Sequence, residues 1–369
     1  MAIVQSLITI LVFIGILGGL VVIHELGHFV TARLSGVRVL EFGIGFPPRA
    51  RVLRDRGETL YTLNWLPIGG FVKLEGEDGD AGDDPRSFAN QGLAKRLLIL
   101  VAGVVMNVVL AFVIFTGIAA FATPFMGITS FGVVADSPAA AAGLRPDDSI
   151  VAVDGERYEF FGGRSVLDGL SARAGEQVVL TVDRADGSRV DLTATLRDRA
   201  AIDAGLGALG ISQSREHPWE GYFFGEYTGR DLPSAVAIGA RETVRALGLI
   251  VGGLGSLVRS VVADPTAPPP VAGPVGIATQ IGDVLWNAGP IMTLYVAGIL
   301  SANLAVVNIL PFPPLDGGRM FVITLKSIFG RRISLRAERL TYVVGFVFLF
   351  GFIIWITGFD ILRQLGGIS

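Results

Sequence analysis

Four long apolar runs stand out along the chain, over about Ala2–Val30, Leu97–Phe121, Pro290–Leu310 and Leu340–Leu362. Each is near the roughly 20 residues that a helix needs to cross a bilayer. The first run has no basic residue ahead of it and no small-residue cleavage signal, so it reads as a retained helix rather than a secretory leader. Between the first two runs the period changes. Glycines and prolines punctuate residues 36–75, and Arg51–Leu53, Thr59–Leu63 and Gly70–Leu74 read as short strands. A plain loop is the alternative there. From Ile128 to Arg199 the chain reads as a β-rich domain, with strands at Val133–Val134, Ile150–Val153, Val178–Val182 and Val190–Leu196. Ser137–Leu144 predicts a capped helical turn closed by Gly143, and Asp154-Gly155 and Asp186-Gly187 predict hairpin turns. Residues 200–232 read as a polar, aromatic connector. Residues 233–262 carry Arg241, Glu242, Arg245 and Arg259 among small apolar residues, which suits an amphipathic surface helix better than a span. Asp264–Pro274 holds five prolines and reads as a linker.

This pattern predicts a polytopic α-helical membrane protein of about four transmembrane helices, with a membrane-associated β-region and a separate β-rich domain. The expected divisions are residues 1–127, 128–200, 201–274 and 275–369. Composition agrees. Of 369 residues, 51% are hydrophobic and only 17% charged, and the mean hydropathy is +0.59, outside the range of ordinary soluble domains. A net charge of −3 gives no reason to expect a nucleic-acid partner. With no cysteine, disulfides and thiolate metal sites are excluded, so any zinc must take nitrogen and oxygen ligands.

Candidate chemistry concentrates at the end of the first run, in His24-Glu25-Leu26-Gly27-His28. On a helix His24 and His28 share a face one turn apart, a spacing at which two imidazoles reach one metal ion with Glu25 beside them to handle a proton. The bland alternative is two surface histidines on an amphipathic helix end, but the preceding residues are nearly all apolar, and ionisable groups at membrane depth usually mark function. The chain has three histidines in all, and His217, before a proline, reads as a solvated loop residue. The third apolar run breaks into Asn308–Gly318, with three prolines and two glycines. Broken backbone at membrane depth is tolerated where it lines a cavity, which makes Asp316 the best candidate for a third ligand; a helix cap is the alternative. Glu75–Asp84 reads as a solvated acidic loop. Asn107, inside the second run, reads as a helix–helix hydrogen-bonding residue.

Basic residues follow the first run (Arg33, Arg38, Arg49, Arg51, Arg54, Arg56, Lys95, Arg96) and precede the fourth. Short basic loops favour the cytoplasm. With four spans, both termini and the β-rich domain then face outward, and the metal site lies toward the cytoplasmic side.

The run Ala135–Leu144, with Asp147–Ile150 and Val153–Gly155, resembles a PDZ domain of the bacterial protease type, a module that binds extended peptide ends by strand addition; a steric spacer is the alternative. Together with His24–His28, Gly43–Phe46, Gly103–Asn107, Gly273–Gly276 and Asn308–Gly318, the chain resembles the site-2 protease family of intramembrane zinc metalloproteases. The resemblance is to its bacterial branch, which releases sigma factors by cutting membrane-bound anti-sigma proteins. It implies Zn2+ held by His24, His28 and Asp316, Glu25 as general base, and Asn308 holding the substrate backbone. It also implies single-span substrates such as anti-sigma factors, an inner-membrane location, regulated intramembrane proteolysis in a stress response, and a PDZ domain that gates access. Where the family has Gly-Pro ahead of the Asn of its second helix, this chain has Gly103-Val104, and Asn107 receives no role. Two readings compete: a membrane metal-ion transporter using midplane His and Asp, and a catalytically inactive scaffold acting through its PDZ domain.

Overall fold

The computed structural model describes residues 2–55, 57–77, 84–212, 222–264, 268–330 and 335–366. His217, most of the acidic loop (78–83), part of the proline-rich linker (265–267), Arg331 and Arg332 lie outside the described residues. In chain order the elements begin with α1 (Ala2–Leu34), β1 (Val39–Arg54), β2 (Leu60–Leu74), α2 (Leu93–Phe121), β3 (Thr123–Ser130), β4 (Gly132–Val133) and α3 (Pro138–Ala142). There follow β5 (Asp148–Val153), β6 (Glu156–Glu159), α4 (Val166–Ala172), β7 (Gln177–Asp183), β8 (Arg189–Thr195), α5 (Arg199–Asp203), β9 (Ile211–Ser212) and β10 (Tyr222–Thr228). The last five are α6 (Leu232–Ala263), α7 (Pro274–Asn287), α8 (Gly289–Ile309), α9 (Asp316–Phe329) and α10 (Leu335–Gln364). They group into two units: Met1–Ile114 with Arg241–Gly282 and Val296–Ser369, and Phe115–Ala240 with Asp283–Tyr295.

In the first unit, α1 packs on a β-sheet made from only two long strands. Each strand bends, so Glu41–Ile44 pairs on one side with Gly70–Lys73 and on the other with Leu60–Leu63. Leu60–Leu63 is paired in turn with Arg51–Arg54 through Tyr61, Thr62 and Leu63. The three short strands expected within residues 51–74 are therefore segments of two strands folded back on themselves. Gly70–Leu74 is an edge: no other described strand pairs with its free side. A cluster of Ala32, Val37, Val39, Leu74, Phe88, Ile99, Leu100 and Ile323 joins the end of α1, the sheet, α2 and α9 into one core.

Among the described residues five helices, not four, are long and apolar enough to cross a membrane; the addition is α6, over Leu232–Ala263. The interspersed charges of this stretch predict a membrane-surface helix. The helix is there, continuous for 32 residues, and its length and composition alone do not separate the two roles.

The second unit is built on a six-stranded antiparallel sheet ordered β10-β3-β6-β5-β7-β8, with a β4–β9 pair beside it. Ile128, Ile150, Val153, Leu170, Val178, Leu180 and Val182 form its core. Local signals hold: Ser137 caps α3 by accepting from the Ala140 N–H, and Gly143 ends it at φ 81°. Asp154 and Gly155, both at positive φ, turn β5 into β6. Among its described residues the stretch read as a connector contains α5, β9 and β10, and β10 pairs with β3. Aromatic strands lacking a clean alternation escaped the pattern.

Candidate metal centre

The site is set by three backbone devices. Helix α1 puts His24 and His28 one turn apart, with ring centroids 4.8 Å from each other. Helix α2 crosses α1 at glycines: a Cβ on Gly27 would lie 2.5 Å from the Ala102 carbonyl oxygen, and one on Gly103 only 2.4 Å from His28 Nε2. The third device is the turn between α8 and α9. Added Cβ atoms on Gly317 and Gly318 would strike the backbone of Ile309, Leu310 and Phe312, so only glycines let the chain double back and aim Asp316 at α1.

Three ligand atoms converge. His24 Nε2 lies 2.9 Å from Asp316 Oδ2, His28 Nε2 lies 3.3 Å from the same oxygen, and the two Nε2 atoms are 3.1 Å apart. A tetrahedral zinc with bonds of about 2.0–2.1 Å has edges of about 3.3–3.4 Å, so a triangle of this size would suit such an ion. His28 Nδ1 donates to the Ile99 carbonyl oxygen at 2.8 Å, which places its proton away from Nε2 and frees Nε2 for a metal. His24 and His28 are buried. No other group of three His, Asp or Glu side chains with this spacing occurs among the described residues.

The triad opens on a cavity of about 390 Å³ that Glu25, Asn308, Arg319, Phe71 and the edge segment at Gly70 also line. The structure thus brings together His24, Glu25, His28, Asn308 and Asp316, which are 292 residues apart at the extremes. Asp316 is the first residue of α9, whose N-cap position is Leu315, and its carboxylate lies against His24 and His28. Two neighbours join them: Arg319, which no pattern marks, and Asn107, which the sequence marks only as a helix–helix hydrogen-bonding residue. Arg319, one turn past Asp316, pairs with Glu77 at 2.5 Å, and Asn107 places its amide nitrogen 3.2 Å from His24 Nδ1.

The sequence model of peptidase family M50 matches residues 12–352. The chain belongs to peptidase family M50. A Clostridium perfringens protein named as a putative zinc metalloprotease is 35% identical over 346 residues, covering 93% of this chain and 95% of its own. Another so named in Clostridium acetobutylicum is 31% identical over 364 residues, 98% and 99% of the two chains. An Arabidopsis thaliana protein named as a probable chloroplastic membrane metalloprotease is 31% identical over 346 residues, covering 90% of this chain and 75% of its own. This M50 chain is accordingly a membrane-embedded zinc metalloprotease. The donor set of two imidazoles and one carboxylate suits that metal.

Proposed function

We propose that this M50 protease hydrolyses peptide bonds in or near transmembrane segments of single-span membrane proteins, with His24, His28 and Asp316 as zinc ligands and Glu25 as the general base. The observation that carries the reading is the convergence of the three ligand atoms at the end of a long apolar helix, beside Glu25, in a cavity open to a strand edge. Zinc supplies Lewis-acid polarisation of the scissile carbonyl and acidification of a water molecule. Glu25 takes a proton from that water and returns it to the leaving nitrogen. Asn308, which lines the same cavity as Glu25, hydrogen-bonds the substrate backbone and holds it in register.

A helical substrate keeps its carbonyls in its own hydrogen bonds and must unwind before it can be cut. The free side of Gly70–Lys73 is an open strand edge for such an unwound strand, and Gly70 lies next to Glu25, whose Cγ is 3.7 Å from where a glycine Cβ would be. Basic residues at 33–56 and 95–96 favour a cytoplasmic-side active site in the inner membrane. The β-rich unit then serves as an outward PDZ-like gate that delays substrates whose outer domains are still intact, as befits anti-sigma factors awaiting a first cut.

One assay tests the reading. Detergent-purified protein is mixed with a single-span substrate, in untrimmed and outer-domain-trimmed forms, beside a Glu25→Gln variant, with zinc measured on both proteins. We expect about one zinc on each, cleavage by wild type only, a loss of at least about 100-fold in Glu25→Gln, and faster cutting of the trimmed form. A Glu25→Gln protein that still cuts removes Glu25 from the mechanism, and equal rates on the two substrates remove the gate.

A further inference from the structure

We infer that Asn107 is a positioning residue for the metal centre: its side-chain carbonyl accepts the Nδ1–H of His24 and so fixes the tautomer that presents Nε2 to zinc. The inference rests on the ligand assignment proposed above. It starts from the two imidazoles. A histidine that gives Nε2 to a metal keeps its proton on Nδ1 and needs an acceptor there. His28 has one, the Ile99 carbonyl oxygen at 2.8 Å. Among the described residues only the Asn107 amide stands at His24 Nδ1, 3.2 Å away.

Three observations tie Asn107 to this task. It is fully buried, at 0% exposure, where a polar amide is costly unless it is used. Its backbone is pinned: Ser301 Oγ of α8 donates to the Asn107 carbonyl oxygen at 2.8 Å. One turn earlier on α2, Gly103 clears the space that both imidazoles fill, since a Cβ there would meet His28 Nε2 at 2.4 Å and His24 Cε1 at 2.8 Å. Gly103 and Asn107 are thus a single helix face fitted to the pair His24 and His28.

The amide has two orientations, and its surroundings leave the choice to His24. With Nδ2 toward Nδ1, the amide suits an imidazole whose proton is on Nε2, which donates to Asp316 Oδ2 at 2.9 Å. Oδ1 then has no hydrogen-bond partner among the described residues, so no donor holds the amide in that orientation. A half-turn about Cβ–Cγ brings Oδ1 to Nδ1, the pairing that Nε2 coordination demands.

The test measures zinc affinity of the full-length protein in detergent by competition with a chromophoric chelator, and records the absorption bands of the Co2+-substituted protein. Asn107→Asp keeps an acceptor at the same place; Asn107→Leu keeps the volume and removes it. Asn107→Ala is the second acceptor-free variant and decides the matter if the leucine variant does not fold. We expect Asn107→Leu and Asn107→Ala to bind zinc about 10–100-fold more weakly with shifted Co2+ bands, and Asn107→Asp to stay near wild type. Wild-type affinity in the acceptor-free variants overturns the inference, as does an Asn107→Asp protein weakened as much as they are. His24→Ala separates the two levels of the argument. If it binds zinc as tightly as wild type, the ligand assignment itself is wrong; if it loses zinc while Asn107→Leu does not, only the positioning role falls.

Discussion

Gly103 is where the chemistry of the centre is most sensitive to a single methyl group. In a helix interior, Gly→Ala ordinarily stabilises by up to about 1 kcal/mol. Here the added Cβ would lie 2.4 Å from His28 Nε2 and 2.8 Å from His24 Cε1, so the imidazoles must move and the ligand triangle must open. We expect Gly103→Ala to raise or leave unchanged the helix content while weakening zinc binding by about tenfold or more, read by chelator competition. Gly117→Ala, on the same helix with nothing within 4 Å of its Cβ, should bind zinc normally. Equal affinities in the two variants would show that the ligands yield freely. The contrast also explains which site residues a sequence reveals. His24, Glu25 and His28 are legible because their geometry is local, one turn of one helix. Asp316 is legible because prolines and glycines interrupt an apolar run. The Gly103–Asn107 run is visible as a motif, but its fit to the two histidines is not, since that depends on α2 meeting α1 at Gly27, a contact that no local pattern encodes.

At the scale of elements, the short stretch Gly273–Gly276 is governed by a residue almost ninety positions away. Asp360, in α10 and 3% exposed, accepts from the Gly273 N–H at 3.2 Å and the Gly276 N–H at 2.8 Å. It thereby satisfies backbone donors at the start of α7, which that helix cannot pair within itself. Side chains at either glycine would collide with the carboxylate, 2.8 Å from each added Cβ. Arg363, one turn on, donates to the Pro269 and Val271 carbonyls, so α10 holds the whole entrance to α7. Asp360→Ala leaves two buried donors without an acceptor. We expect a loss of about 1–3 kcal/mol per unsatisfied group, seen as a lower melting temperature in detergent with zinc content unchanged; an unaltered melting temperature would mean that water replaces the carboxylate. The sequence marks Gly273–Gly276 as ordered but gives no hint of its partner. The folded-back β1–β2 sheet was hidden for the same reason: its strand segments have local signatures, whereas the double pairing of Glu41–Ile44 is a long-range register.

For the whole molecule, the metal centre constrains how many of the five apolar helices cross the bilayer. His24 lies in the last third of α1, so the centre is toward the side where α1 ends. Asp316 lies just past the end of α8, so the centre is also toward the side where α8 ends. The 2.9 Å contact between them puts both ends on one side. Helix α2 carries the chain back across, and α8 must begin where α2 finished. The number of crossings between Phe121 and Gly289 is therefore even. Among the described helices of that interval only α6 is long and apolar enough to span; α7, at 14 residues, reaches about 21 Å, short of the roughly 30 Å of hydrocarbon. A single crossing by α6 would put Asp316 on the wrong side, so we expect α6 to lie along the membrane. Its composition allows this: Arg241, Arg245 and Arg259 stand among exposed Val244, Leu249, Val251, Val258 and Val262. Because the chain has no cysteine, one introduced at a time reports sidedness. Glu226→Cys before α6 and Asp264→Cys after it should both react with a membrane-impermeant maleimide from the outside of spheroplasts. Glu58→Cys, in the basic loop after α1, should react only once the membrane is opened. Labelling of Glu226→Cys and Asp264→Cys from opposite sides would make α6 a span, and a further crossing would then have to exist between Asp264 and Gly289 to bring Asp316 to His24.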